Sequence, residues 1–322
     1  MIAVEGKGGI RASVVAHSIS EAGKEILTYE LEYPRFIHSE FLTHRQFSRN
    51  AASSRAIPVA KVIDQVKNNP AMPIHWGKNQ SGMKAKSQLT GLKLLAARSL
   101  WKGAAKVAAW SAGFMNKAGL HKQCANRILE PFQFIKVVCT ATEFENFFYL
   151  RDHGDAQPEI AQLAKVMLEA RSLSVPQVLK AGEWHVPYVG SSRNCLTNEL
   201  EYCTADYREG DCEDNRLSIS GALALSASLC AQVSYRVADQ SLEKAFKIYD
   251  QLVTMTPVHA SPFEHQATPM KHSQLGICSA PNRCEEGVTH VDKYLNKWSG
   301  NFQGWVQHRQ LIKGHVYTGE AG

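Results

Sequence analysis

Apolar and polar positions change period several times along the chain. Ala22 to Tyr33 partly alternates and predicts a strand, interrupted at Pro34. Arg35 to Ser48 then sets Phe36, Ile37, Phe41, Leu42 and His44 at helical spacing, which predicts a helix. A polar, small-residue segment, Arg49 to Arg55, follows it. Pro58 marks a turn or helix start, and Val59 to Val66 predicts a short helix. Asn68 to Gly82 is turn-rich, with Pro70, Pro73, Trp76 and Gly77, and loops of this kind often overlie ligand sites. Long amphipathic stretches run from Lys84 to Asn116 and from Gly119 to Leu129, where Pro131 breaks the pattern. Ala141 to Arg151 and Gln157 to Glu169 predict two more helices. Ser174 to Asp214 carries little regular pattern. It holds an acidic cluster at Asp206, Glu209, Asp211, Glu213 and Asp214, and it reads as a connection wrapped on the surface. Ser218 to Val233 is built of Ser, Ala and Leu. Ser241 to Met255 is an amphipathic helix with Leu242, Ala245, Ile248 and Leu252 on one side. Pro257 to Gly322 is rich in His, Gly and Trp and has no assignable pattern. The expected class is α+β, helix-rich with a small antiparallel sheet.

A chain of 322 residues, 44% hydrophobic and 20% charged, can bury a substantial core as one large domain or two small ones. Its most apolar stretch, Ile219 to Val233, is made of small residues interrupted by serines, so no membrane span is expected. The N-terminus lacks the order of a secretory signal, and a cytoplasmic location is the expectation. Eight cysteines in a chain of this length do not make a disulfide scaffold, and none forms a Cys-x2-Cys pair. Cys203 and Cys212 are too far apart for a tight zinc knuckle, as are Cys278 and Cys284. Cys124, Cys139 and Cys230 sit among apolar residues and read as core.

The net charge of +6 changes the picture because it is uneven. Gln65 to Leu129 contains no Asp or Glu but eleven Lys and Arg residues. Such a field attracts phosphorylated ligands or nucleic acid, or is a solvated face of two helices. No nucleic-acid-binding signature accompanies it, so nucleic acid is not the expected partner.

The densest chemistry lies in Thr43-His44-Arg45-Gln46-Phe47-Ser48-Arg49-Asn50-Ala51-Ala52-Ser53-Ser54-Arg55. Arg45, Arg49 and Arg55 offer planar forks to phosphate oxygens, and Ser48, Asn50, Ser53 and Ser54 offer short hydrogen-bonding arms. This segment resembles the signature of the flavin-dependent thymidylate synthases, Arg-His-Arg-x-x-Ser-x-Asn-Glu-x-Ser-x-Arg. It departs from it at Thr43, where the family has Arg, and at Ala51, where it has Glu. Asn146-Phe147-Phe148-Tyr149-Leu150-Arg151 and Ala156-Gln157-Pro158-Glu159-Ile160 resemble the family's next helix and its continuation. Arg127, ahead of Ile128-Leu129 and Pro131, is similar to the family's phosphate-binding Arg, although Glu130 intervenes. Cys230-Ala231-Gln232-Val233-Ser234-Tyr235 resembles an Ala-x-x-Ser-aromatic strand of the family, and His259-Ala260-Ser261-Pro262-Phe263-Glu264-His265 resembles its His-x-Ser/Thr-Pro-Phe-Glu-His segment. Both precede the signature in the family and follow it here, which reads as a circular permutation or partial duplication. Trp305 to Gln310 faintly repeats the His44-Arg45 element. The spacing of His259, Glu264 and His265 is not His-Glu-x-x-His, and no metal is expected.

The resemblance implies conversion of dUMP to dTMP with FAD, NADPH as reductant and 5,10-methylenetetrahydrofolate as one-carbon donor. It implies a catalytic Arg151 that contacts the pyrimidine, with Ser53 as a nucleotide contact rather than an activated nucleophile. Ser53, Arg55 and Arg127 hold the phosphate. His44, Arg45, Ser48, Asn50, Asn146, Ser234, Ser261 and Glu264 hold the flavin. It also implies a homo-oligomer, tetramer or dimer. The departures at Thr43 and Ala51 leave open a relative that methylates or hydroxymethylates dCMP, and an inactive nucleotide- or nucleic-acid-binding relative. The expected organisation is a signature-bearing part over 1–170, a connecting segment over 171–214, and a part completing the site over 215–322.

Overall fold

A computed structural model describes residues 2–82, 85–204, 216–234, 240–271, 284–317 and 319. The acidic cluster at Asp206, Glu209, Asp211, Glu213 and Asp214 lies outside the described residues, with Lys84, Cys212, Tyr235 and Cys278. No helix of the described residues is long and apolar enough to cross a membrane.

The N-terminal half is built on a sheet. Strand β1 (Ile2–Glu5) pairs antiparallel with β2 (Arg11–Ser20), which forms a hairpin with β3 (Glu25–Pro34). The hairpin closes where Gly23, at φ 79°, supplies the left-handed backbone that its tight turn requires. A short helix, α1 (His38–Phe41), leads to β4 (Ser48–Ala51). Helices α2 (Val59–Asn68), α3 (Gly91–Lys117) and α4 (Lys122–Ala125) then precede β5 (Phe134–Ala141). β5 runs antiparallel between β3 and β4, giving the order β1-β2-β3-β5-β4. After α5 (Glu145–Arg151) and α6 (Pro158–Ser172), β6 (Gln177–Leu179) joins the free end of β2 in parallel. The sheet is therefore mixed and six-stranded among the described residues, larger than the small antiparallel sheet expected.

The strands are covered on both faces. Leu27, Tyr29, Leu31 and Tyr33 of β3 and Ile135, Val137 and Cys139 of β5 meet Ile160, Leu163, Ala164 and Met167 of α6 in the main core. The Tyr29 hydroxyl donates to the Met167 carbonyl at 2.9 Å. The opposite face receives the C-terminal half. This contains β7 (Gly190–Arg193), β8 (Leu200–Cys203), β9 (Arg216–Leu217), α7 (Ile219–Ala231), α8 (Leu242–Thr254) and β10 (Ala267–Pro269). It ends with β11 (His290–Val291), β12 (Lys297–Ser299), β13 (Phe302–Gln303) and β14 (Trp305–Gln307). Ile26 and Leu179 of the sheet pack there on Ala267, Phe302 and Trp305, and Val138 packs on Cys230 and Val233.

A polar seam runs through this second layer. Ser18 Oγ lies 2.9 Å from His185 Nδ1, and His185 Nε2 lies 2.8 Å from Thr28 Oγ1. Thr28 meets Thr140 at 2.7 Å, and Thr140 meets His265 Nδ1 at 2.8 Å. Burial pushes both histidines down to about 3, so both rings are neutral at pH 7.

Several expectations are corrected. The helix expected over Arg35 to Ser48 is only a 3-10 turn and α1. Arg49 closes it by donating from Nη1 to the carbonyls of Leu42 and His44, both at 3.0 Å, so one arm of its guanidinium clamps the backbone. The segment after it begins with β4. The stretch from Lys84 becomes helical only at Gly91. Pro131 sits inside a 3-10 helix, Asn126–Phe132, rather than breaking it. Ser174 to Asp214 is not merely a surface connection, since Leu179 is a buried residue of β6, His185 is buried against β2 and β3, and Val186 is buried beside α7. Cys230 to Ser234, likened to a strand, is the end of α7 and the turn after it: Ser218 caps the helix, and its small residues are buried on nearly every side.

Candidate functional site

The turn after α1 and helix α5 face one another across a cavity of about 350 Å³. Thr43, His44, Arg45, Gln46 and Phe47 line one side, and Glu143, Asn146, Phe147, Leu150 and Arg151 the other. The turn is held from below by aromatic packing. Phe47 lies 5.4 Å from Phe147 and 4.9 Å from Phe144, and the His44 ring meets Phe147 edge-on at 4.8 Å. The apolar side of this short helix is thus spent on seating the turn, which leaves Asn146 and Arg151 at the cavity.

Arg151 ends α5 and is held by two partners. Its Nη1 donates to Glu40 Oε1 at 2.6 Å, and its Nε donates to His44 Nε2 at 3.0 Å. His44 is pushed down to about 4, first by burial and then by the charges of Arg151 and Arg49. Its ring is therefore neutral at pH 7, with Nε2 as acceptor and the proton on Nδ1. Arg45 is exposed at the rim. Thr43 donates its hydroxyl to the Glu40 carbonyl at 2.7 Å, a contact within the turn.

The remainder of the signature is carried away by β4. Ser48 Oγ donates to Asn301 Oδ1 at 3.2 Å, and Asn50 Nδ2 donates to the Cys230 carbonyl at 3.2 Å. Both are thereby joined to the C-terminal half. Beyond β4, Ser53 donates its backbone N–H to Ser234 Oγ at 2.9 Å, so these two expected site residues do meet. Ser234 also lines a second, smaller cavity of about 210 Å³ with Ala52, Ala56, Lys61 and Lys136. Arg55 is exposed nearby. Arg127 pairs with Glu130 at 2.9 Å, and Glu130 also accepts from Ser54 and pairs with Arg35. Ser261 and Glu264 lie in a 3-10 turn that packs against β4, and Glu264 is ion-paired with Arg309. Eight of the expected residues thus form two groups at opposite ends of β4. His44, Arg45, Asn146 and Arg151 gather at one, and Ser53, Arg55, Arg127 and Ser234 at the other.

Glu40 was not among the expected site residues. It is the single carboxylate between Pro34 and Ile63, in the most arginine-rich part of the chain, and that isolation is the signal that would have found it.

The model of the thymidylate synthase complementing protein family matches residues 17–177. The chain belongs to that family. The match runs from within β2 to the first residue of β6 and includes both walls of the larger cavity. It ends before Ser234 and the His259 to His265 segment. No curated protein matches the chain. Among solved structures, the UMP/dUMP methylase PolB from Streptomyces cacaoi bound with 5-Br UMP is 17% identical, with a TM-score of 0.43, over 53% of this chain and 92% of that one. The same enzyme bound with 5-Br dUMP gives 16% identity and a TM-score of 0.40, over 53% and 93%.

Proposed function

We propose that this member of the thymidylate synthase complementing protein family binds FAD and a pyrimidine deoxynucleotide, and methylates dUMP to dTMP with 5,10-methylenetetrahydrofolate and NADPH. The observation that carries the proposal is the joining of His44 and Arg45 to Asn146 and Arg151 across one cavity. The donor set suits such ligands. Arg45 and Arg151 offer charged forks, and Asn146 and the His44 ring offer directional hydrogen bonds beside an aromatic wall. The flavin, when bound, supplies hydride chemistry that no side chain here can provide.

In this reading Arg151 binds the pyrimidine and stabilises negative charge that develops on the ring. The neutral His44 fixes the Arg151 fork by accepting from Nε. Asn146 and Arg45 hold the flavin at the rim. Ser53, Arg55 and Arg127 bind phosphate at the far end of β4, where Ser234, the flavin contact from the C-terminal half, accepts the Ser53 N–H. Ser48, Asn50, Ser261 and Glu264 contribute by fixing β4 against the C-terminal half, so residues 215–322 complete the site that 1–170 begins.

Glu40 favours one second reading. A carboxylate beside the pyrimidine accepts from an exocyclic amino group, which cytosine carries and uracil lacks. The chain would then modify dCMP.

The test is anaerobic turnover of the purified chain with FAD, NADPH and methylenetetrahydrofolate, with dUMP and dCMP offered separately. Methylated dUMP is the expected product, and Arg151→Ala should reduce its rate by at least about a hundredfold, as loss of one preorganised charge-stabilising donor does. Product from dCMP alone would replace the first reading by the second. Failure to bind flavin, with no product from either nucleotide, would sink both.

A further inference from the structure

Both walls of the larger cavity are tied to one short segment of the C-terminal half. Strands β12 and β13 pair Ser299 with Phe302, so Gly300 and Asn301 form a two-residue turn. Gly300 takes the left-handed backbone that such a turn requires, at φ 60°. Phe302 is fully buried with Ile26, Leu179, Ala267 and Trp305, which anchors the turn in the core. Asn301 therefore sits at a fixed tip, where its side chain meets the signature segment. Its Nδ2 donates to the Gln46 carbonyl at 2.7 Å. Its Oδ1 accepts from Nε2 of the buried Gln307 at 3.0 Å, which fixes the way the amide is turned.

The other wall is tied two residues further on. The Gln303 backbone N–H donates to Thr142 Oγ1 at 3.0 Å, and Thr142 immediately precedes Glu143, which lines that wall. A second tie runs beside it: the Trp305 indole donates to the Lys24 carbonyl at 3.1 Å, and the Lys24 ammonium pairs with Glu143. We propose that Asn301 and Gln303 form a brace that sets the separation of the two walls, and that Asn301 is a positioning residue for the ligands between them. The proposal rests on the reading of this cavity as the flavin and nucleotide site.

The signature turn needs such a support. Its own backbone bonds are long: the His44 N–H reaches the Phe41 carbonyl at 3.3 Å, and the Phe47 N–H reaches the His44 carbonyl at 3.4 Å. Well-formed bonds of this type lie near about 2.9 Å. The Arg49 clamp fixes the start of the turn, and Asn301 fixes its end. A turn displaced by even about 1 Å would carry His44 and Arg45 away from Asn146 and Arg151 and spoil the joint grip on a ligand. The described residues that line this cavity all lie between Thr43 and Arg151, so the C-terminal half acts on it from outside. Asn301 and Gln303 also lie beyond residues 17–177, the span that the family model matches.

Two substitutions cut the brace at its two ends. Asn301→Asp keeps shape and acceptor but turns an oxygen toward the Gln46 carbonyl. Thr142→Val preserves volume and removes the acceptor of the Gln303 N–H. Isothermal titration of the full chain with FAD and with dUMP should show each variant binding roughly three- to tenfold more weakly, the worth of one hydrogen bond. The double variant should bind no more weakly than the weaker single one, because a brace cut at one end holds nothing at the other. Losses that multiply would show two independent contacts and overturn the proposal. So would a lower unfolding midpoint of Asn301→Asp with unchanged affinity, which would assign Asn301 to the fold alone. Amide hydrogen exchange of the ligand-free chain separates the brace from the reading it rests on. Asn301→Asp should speed exchange at His44 and Phe47 by roughly three- to tenfold. Unchanged rates there would overturn the brace. Wild type that binds neither FAD nor dUMP would overturn the function proposed above, and faster exchange at His44 and Phe47 would then still uphold the brace.

Discussion

Arg151 is neutralised before any ligand reaches it. Glu40 holds one arm of its guanidinium and His44 the other. An anionic or carbonyl-bearing ligand must therefore bind the remaining N–H groups of the guanidinium beside a carboxylate. Glu40→Gln removes the charge and keeps the shape. The expected outcome, if uracil is the base, is tighter dUMP binding by roughly three- to tenfold, within the range of a charge-assisted hydrogen bond. Isothermal titration with dUMP reads it directly, and weaker binding would show instead that Glu40 serves the substrate. The residue types of this pair were legible in the sequence, but their meeting was not. His44 and Arg151 come from segments more than a hundred residues apart, and Glu40 meets Arg151 from α1, which ends at Phe41. A continuous helix through Ser48 would have placed Glu40 and His44 one turn apart on a single face.

At the scale of elements, the first face of the sheet is joined to its helices by apolar packing. The second is joined to the C-terminal half in part by the Ser18–His185–Thr28–Thr140–His265 seam. Thr140 is fully buried and hydrogen-bonds on both sides. Thr140→Val preserves volume but strips both neighbours of a partner, and should cost about 1–3 kcal/mol in urea unfolding. A loss below about 0.5 kcal/mol would mean that the seam is not a fastening. Helices with one wet face, such as α2 and α8, were visible in the periodicity because solvent enforces it. β2 was not, because buried residues occur on both of its faces and erase the alternation. The same holds for α7, whose residues are buried almost all round and show no helical stripe. The exposed Leu92, Trp110 and Phe114 of α3 were legible only as ordinary amphipathicity, since the sequence alone does not say which apolar face is covered.

For the whole molecule, five buried or half-buried histidines set the response to acid. His185 and His265 are held near 3, and His38, His44 and His308 near 4, in each case chiefly by burial. Their unfolded values lie near about 6.5. The unfolded chain therefore binds more protons over this interval, and stability falls as pH drops below about 6.5. Glu25, buried but held down to about 2 by His17 and Arg171, adds a loss below about 4.5. Urea midpoints should be flat from pH 8 to 7 and decline steadily from pH 6.5 to 4. His265→Gln should lessen the slope, and an unchanged slope would show that the ring is protonated in the folded state. The fold class was legible in the sequence, as was the likeness of 43–55 and 146–160 to one family. The way in which 215–322 closes the sheet was not, because its contacts are with strands far back in the chain. Trp305 is the plainest case: fully buried beneath the sheet, it donates its indole N–H to the carbonyl of Lys24. During synthesis the β2–β3 hairpin thus leaves the ribosome long before the residue that covers it. The face of the sheet that Trp305 covers therefore cannot be closed until the C-terminal half has been made.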